Sequence, residues 1–246
     1  MINNLVITIL AGGEGKRMNS TIPKVLHLFN GKPMLVNIIE TSLLLKPSQI
    51  IIVTGKYNDL IQDTLSNYID ITQLTFVQQK TPLGTGDAIK CCLEFYKPEQ
   101  KVLILNGDMP LINKEVLEQF INSRQTNCNI LVAQFSNPTG YGRIIYKNDE
   151  FMEIIEEKDC NEEQRKINIV NSGLYFIASE LLCEFIPMIT NTNKQQEYYL
   201  TDIVKIIKSN TSHKIDTFLI DINDNKYISG VNTQDELTEL EKQKNR

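Results

Sequence analysis

The 246-residue sequence has little of what builds metal or redox centres. Its two histidines, His27 and His213, are too few and too scattered for a zinc site. Its five cysteines (Cys91, Cys92, Cys128, Cys160 and Cys183) form no C-x-x-C pair, and the odd count reads as reduced thiols in a reducing compartment. Cationic residues are not in excess. Lys and Arg number 25 against 30 Asp and Glu, a formal net charge of -5, which removes a general nucleic-acid footprint. Any anionic ligand must then be held by a local cluster of donors. No apolar run reaches the ~20 residues of a membrane span, and Met1–Leu5 lack the basic and apolar regions of a signal peptide. There is no internal repeat, low-complexity tract or linker-like stretch. The expectation is a soluble, cytoplasmic protein that binds neither nucleic acid nor membrane.

Apolar residues at 41% and charged residues at 22% are those of a folded chain with a sizeable core. Short β-branched runs at Leu5–Leu10, Ile50–Thr54, Leu74–Val77, Val102–Asn106 and Ile130–Gln134 read as strands. Between them Met34–Leu45, Asp59–Tyr68, Asp87–Tyr96 and Lys114–Arg124 read as helices. That alternation predicts an α/β fold, a mixed but mostly parallel sheet flanked by helices. The second half is less regular. Tyr141–Tyr146, Glu153–Glu156, Ile167–Ile177 and Ile215–Ile220 are strand candidates, and Glu180–Ile189 and Tyr199–Lys208 helix candidates. A last helix starts near Gln234, where Thr233 and Glu236 form a T-x-x-E capping box, and it runs into a polar end at Lys242–Arg246.

The first strand ends in Leu10-Ala11-Gly12-Gly13-Glu14-Gly15-Lys16-Arg17-Met18. Three glycines in four positions let backbone N–H groups approach a phosphate. The run is neither a dinucleotide fingerprint, which would need glycine at Met18, nor a Walker loop, which would need Ser or Thr at Arg17. Arg17 sits just past the glycines, and Pro23 stiffens the segment that carries Lys24. An Arg and a Lys beside such a loop suit a triphosphate, one as a fork and the other as a point charge; the alternative is two solvated surface cations. Asp108 follows the strand Val102–Asn106 at the carboxyl end, where ligands gather in open α/β sheets, although a lone Asp there also suits an Asx-turn.

Leu10–Met18 with Pro23-Lys24-Val25-Leu26-His27 resembles the start of the sugar-1-phosphate nucleotidyltransferases, most closely the uridyltransferase domain of bacterial bifunctional N-acetylglucosamine-1-phosphate uridyltransferases. Further segments match in order: Leu83–Gly86, Asn106–Leu111, Asn137–Ile144, Ile155–Asp159, Asn171–Gly173, Glu197–Asp202 and Gly230–Asn232. The resemblance implies a Rossmann-like nucleotidyltransferase domain of GT-A-like type with a smaller sugar-facing β lobe. It would be one domain over residues 1–246, with 1–135 as the nucleotide half, 136–232 as the sugar half and 233–246 as helix and tail.

It also implies that UTP and N-acetylglucosamine-1-phosphate yield UDP-N-acetylglucosamine and pyrophosphate with Mg²⁺. Arg17, Lys24 and Asp108 would be catalytic. Leu10, Ala11, Gly12, Gly13, Gln79, Gly84 and Thr85 would meet the nucleotide, and Gly142, Glu156, Asn171, Tyr199 and Asn232 the sugar. Asp108 and Asn232 would hold the metal; Asn232 could instead cap the last helix, but Thr233 has the better claim.

Three departures stand out: Ala11-Gly12-Gly13 where the bifunctional enzymes usually have Ala-Ala-Gly, Lys16 for a usual Thr, and Asn106 for a usual Tyr. They leave glucose-1-phosphate uridylyl- or thymidylyltransferase as an alternative, and a non-catalytic nucleotide-sugar-binding regulator as another. The sequence stops before the β-helix of the bifunctional enzymes, so no acetyltransferase activity is expected. No oligomeric state is implied.

Overall fold

The computed structural model describes residues 4–123 and 126–244. Its centre is β1 (Leu5–Leu10), buried along nearly its whole length between β4 (Gln49–Thr54) and β6 (Lys101–Asn106), both parallel to it. An uninterrupted apolar strand is what a sheet covered on both faces requires. Beyond β4 lies β5 (Leu74–Gln78), also parallel. On the other side β10 (Ile169–Ala178) runs antiparallel to β6 and to β7 (Cys128–Gln134), and β11 (Ile215–Leu219) is parallel to β7 at the edge. A hairpin of β8 (Arg143–Lys147) and β9 (Glu150–Ile155) joins the sheet through β10. A two-stranded turn, β2 (Leu28–Phe29) with β3 (Lys32–Pro33), stands apart. The sheet is therefore mixed and mostly parallel, as the alternating pattern implied.

Period-2 alternation sends Leu5, Ile7 and Ile9 to one face and Val6 to the other. The first face is covered by α1 (Met34–Leu43), α2 (Asn58–Ser66) and α4 (Lys114–Asn122), the second by α3 (Thr85–Lys90), α6 (Ser179–Phe185) and α7 (Asp202–Asn210). A short α5 (Glu162–Arg165) was not expected from the sequence. The last helix, α8 (Gln234–Lys244), lays Leu237 and Leu240 on Met18, Phe29 and Met34, so the end of the chain packs on the loop that follows β1.

Several helices are shorter than their apolar pattern suggests, each for a local reason. The helix expected over 87–96 begins at Thr85 and gives way to a 3-10 turn at Leu93–Phe95; this brings the buried Tyr96 hydroxyl 2.8 Å from Thr8 Oγ1. Pro187, which has no N–H, turns the end of the 180–189 segment into a 3-10 turn at Ile186–Met188. The Leu200 N–H and the Thr201 hydroxyl bond to Thr85 and Glu156, and α7 starts at Asp202. The helix expected over 114–124 ends at Asn122, with Ser123 as its cap; Arg124 and the tail beyond residue 244 lie outside the described residues. Among those described, all five cysteines are free thiols and no helix is long and apolar enough to cross a membrane.

Candidate active site

Above the carboxyl ends of β1 and β6, where Leu10 pairs with Asn106, three distant segments meet. The first is the glycine loop. Gly15 has φ +62°, and a Cβ there would come within 2.5 Å of the Lys24 Cβ, so the position demands glycine. Arg17 follows in a 3-10 turn, and Lys24 opens another behind an extended Pro23. The second segment is the turn after β6. The Gly107 N–H donates to Leu10 O at 2.8 Å and carries Asp108 over the strand end. The third precedes α8: the Val231 N–H donates to Asp108 O at 2.9 Å, and a Cβ on Gly230 would stand 3.3 Å from Asp108 Oδ1.

The capping box forms. The Glu236 N–H donates to Thr233 Oγ1 at 3.1 Å, and Glu236 Oε2 accepts from the backbone N–H of Thr233 and of Asn232 at 3.3 and 2.6 Å. The Asn232 side chain is thereby left out of the cap. Lys24 Nζ donates to Asp108 Oδ2 and, at 3.1 Å, to Asn232 Oδ1; Arg17 Nη2 donates to that same Oδ1 at 2.9 Å. The Lys24 and Asp108 side chains are 15% and 17% exposed, sheltered enough for their charges to act strongly yet still open to a ligand.

Two cavities share this cluster as a wall through Asn106 and Asp108. Leu10, Gly12, Gly13, Gln79, Gly84 and Thr85 line the first together with Lys24. Ala11 does not line either cavity; it is buried and its N–H donates to Val53 O at 2.8 Å. Gln79 Nε2 donates to Gly84 O at 3.0 Å and to Asp87 Oδ2 at 2.8 Å, so its amide protons are spent and Oε1 remains as an acceptor. Residues 198–200 strap this cavity: the Tyr198 N–H donates to Leu83 O, the Gly86 N–H to Tyr198 O and the Leu200 N–H to Thr85 Oγ1, at 2.8, 2.7 and 3.0 Å. Gly84, at φ +114°, admits the strap, because a Cβ would meet Tyr198 O at 2.6 Å.

Arg17, Gly142, Glu156, Asn171 and Asn232 line the second cavity. Gly142 is there for the strands as well, since a Cβ would press on Ile154 Cγ2 at 2.9 Å. Glu156 Oε1 accepts from Thr201 Oγ1 at 3.0 Å. Burial raises its carboxyl above the usual range; the Thr201 bond works against that, and the charges of Asp202, Asp159 and Glu197 add to it. Asn171 braces an irregularity in β10, its Nδ2 donating to Tyr175 Oη at 2.8 Å and its Oδ1 accepting from the Gly173 N–H at 3.1 Å. Tyr199 is separate from this cavity. Its hydroxyl is buried beside a different hollow, which Asp159, Asp202 and Glu156 also line.

The structure adds residues that the sequence reading did not assign. Asn106 borders both cavities, and its position at a strand end two residues before Asp108 was the available signal. Tyr141 and Gly230 border the second cavity. Glu14 at the rim of the first pairs with Lys56 at 2.7 Å, a contact between β1 and β4 loops that no local pattern marks.

Residues 7–170 match the MobA-like NTP transferase domain family. Over 244 residues the chain is 43% identical to a probable UDP-N-acetylglucosamine pyrophosphorylase of Acanthamoeba polyphaga mimivirus, covering 97% of this chain and 96% of that protein. Over 248 residues it is 40% identical to the bifunctional protein GlmU of Francisella philomiragia, covering 98% of this chain and 52% of that protein, so it spans about half that relative's length. The solved inositol-1-phosphate CTP transferase from T. maritima is alike in fold, with a TM-score of 0.73 at 15% identity over 98% of this chain and 96% of that one.

Proposed function

The chain belongs to the MobA-like NTP transferase family, and on that footing we propose that it makes UDP-N-acetylglucosamine and pyrophosphate from UTP and N-acetylglucosamine-1-phosphate. One observation carries the reading. Arg17, Lys24, Asp108 and Asn232 converge on the wall common to two cavities, where a nucleotide in one and a sugar phosphate in the other would bring their phosphates together. The name borne by the mimivirus relative, which aligns along nearly all of this chain, supports the choice of nucleotide and sugar.

The attacking group is already an anionic phosphate oxygen, so no general base is needed. That oxygen forms a bond to the α-phosphorus as the bond to the bridging oxygen breaks, and pyrophosphate leaves with the electron pair. The chain's part is alignment and charge neutralisation. Lys24 meets the α-phosphate, the amides of Gly12 and Gly13 receive the departing pyrophosphate, and Arg17, beside Asn232 at the second cavity, neutralises charge where the two phosphates meet. Gln79 Oε1 accepts the uracil N3–H, and Glu156 and Asn171 hold the sugar.

The site also fits a hard divalent cation. Asp108 Oδ2 and Asn232 Oδ1 already converge on one cationic group, the Lys24 ammonium, and one carboxylate with one amide oxygen suits Mg²⁺, which takes its other ligands from phosphates and water. When bound there, the ion neutralises charge on the reacting phosphates. A single domain working in the cytoplasm, where its five free thiols would stay reduced, belongs to the same proposal.

The test is pyrophosphate release across a matrix of UTP, TTP, CTP and GTP with N-acetylglucosamine-1-phosphate and glucose-1-phosphate. UTP with the N-acetylated sugar is expected to give the highest kcat/KM. Preference for glucose-1-phosphate would move the assignment to the related uridylyl- or thymidylyltransferases. Binding without turnover for every pair would make the chain a regulator.

A further inference from the structure

The wall that carries Gly142 and Glu156 joins the sheet by a narrow ladder. β8 and β10 are paired at one register position, Arg143 with Val170, and Arg143 is also paired with Ile155 on β9. One step further along, just beyond the ends of β8 and β9, Gly142 and Glu156 stand beside Asn171 of β10, whose N–H donates to Gly142 O at 2.9 Å. Arg143 is thus the residue on which the row facing the cavity is registered.

Its side chain is 1% exposed and reaches three segments from behind that row. Nη1 donates to Tyr141 O, in the loop before Gly142. Nη2 donates to Glu157 Oε2 at 2.6 Å and to Arg165 O at 3.3 Å. Glu157 Oε2 accepts in turn from the Gly140 N–H at 3.2 Å, and its Oε1 lies 3.8 Å from Arg165 Nε. A guanidinium is a costly occupant for a buried strand position that an apolar side chain could fill, and among the described residues its Nε has no hydrogen-bond partner. What the ion pair supplies is geometry: it ties the neighbour of Gly142 to the neighbour of Glu156.

We propose that Arg143 and Glu157 are positioning residues that fix Gly142 and Glu156 for the sugar phosphate, without touching it. This rests on the proposed function for the identity of the ligand. Arg143→Lys keeps the charge but not the fork, and Glu157→Gln keeps an acceptor but not the charge. In each, KM for the sugar phosphate should rise about tenfold while KM for UTP and kcat stay within about threefold. Amide exchange, read residue by residue, should quicken at Gly140 and Asn171 and stay unchanged in β1 and β6.

A sugar-phosphate KM unchanged in both variants, or equal rises in both KM values, overturns the inference, as does unaltered exchange at Gly140 and Asn171. If Arg143→Lys does not fold, Glu157→Gln decides by the same criteria. If the wild type turns over none of the substrate pairs, the proposed function falls, and the exchange measurement alone decides whether the pair holds the wall.

Discussion

Lys24 and Asn232 lie 208 positions apart in the chain and 3.1 Å apart in the fold, Nζ to Oδ1. The contact depends on α8, whose Leu237 and Leu240 dock on Met18 and Phe29, and on Glu236, which holds the Asn232 backbone. The first loop and the last helix therefore meet in one cluster.

Removing a member of this cluster should cost turnover rather than folding. Lys24→Ala and Asp108→Ala are each expected to lower kcat by about 10²–10³, measured as pyrophosphate release on protein whose circular dichroism matches wild type. Treating the wild type with EDTA should abolish release and added Mg²⁺ should restore it, with Asn232→Ala needing more of the ion for half-maximal rate. Wild-type rates in Lys24→Ala would remove the mechanism.

Gly15 gives a second, purely steric prediction. An alanine there must adopt a left-handed backbone, costing about 1–2 kcal/mol, and its methyl group would collide with the Lys24 Cβ. Gly15→Ala should lower the unfolding midpoint in urea and depress kcat more than it raises KM for UTP. A variant with unchanged stability and rate would mean that the loop relaxes freely.

Gln79 should govern the base. Its amide protons are committed to Gly84 and Asp87, so what it offers a ligand is an acceptor, suited to the N3–H of uracil and mismatched to the unprotonated N3 of cytosine. Gln79→Ala is expected to reduce the ratio of kcat/KM for UTP over CTP by about tenfold. A ratio unchanged by the substitution would place base selection elsewhere in that cavity.

Glu156 links stability to pH. Burial holds its carboxyl above the ordinary value of 4.5, so the folded chain prefers the protonated form. That preference stabilises the fold at low pH and is lost as pH rises through the raised value, leaving an ionised, half-buried carboxylate as a net cost. Glu156→Gln should therefore raise Tm at about pH 8, with the gain shrinking toward about pH 4. The same substitution should raise KM for the sugar phosphate more than for UTP.

Much of this architecture could be read from the residues. Leu5–Leu10 is a strand with the bounds its apolar run suggested, because every residue there is enclosed by sheet or helix. Thr233 and Glu236 announced the start of α8, and with it the freedom of the Asn232 side chain. Local pattern fails where a distant partner decides. Tyr199 and Leu200 read as the start of a helix, but the Leu200 N–H is drawn to Thr85 Oγ1, 115 positions away. Arg143 falls in a run that reads as a strand, and only the approach of Glu157 and Arg165 shows how its buried guanidinium is accommodated. Lys56 is invisible as a neighbour of Glu14 until β1 and β4 are side by side.

The narrow ladder between β8 and β10 also bears on how such a protein could be re-engineered. The hairpin pairs with β10 at one register position, while Lys24, Asp108 and Asn232 are seated by the first loop, the turn after β6 and the start of α8, so the hairpin's side of the second cavity and the cluster beside it rest on different elements. Under the proposed function, a chimera that borrows residues 138–158 from a relative is expected to shift the acceptor preference in part, since Asn171 and Asn232 stay behind, and to keep the donor preference set in the first cavity.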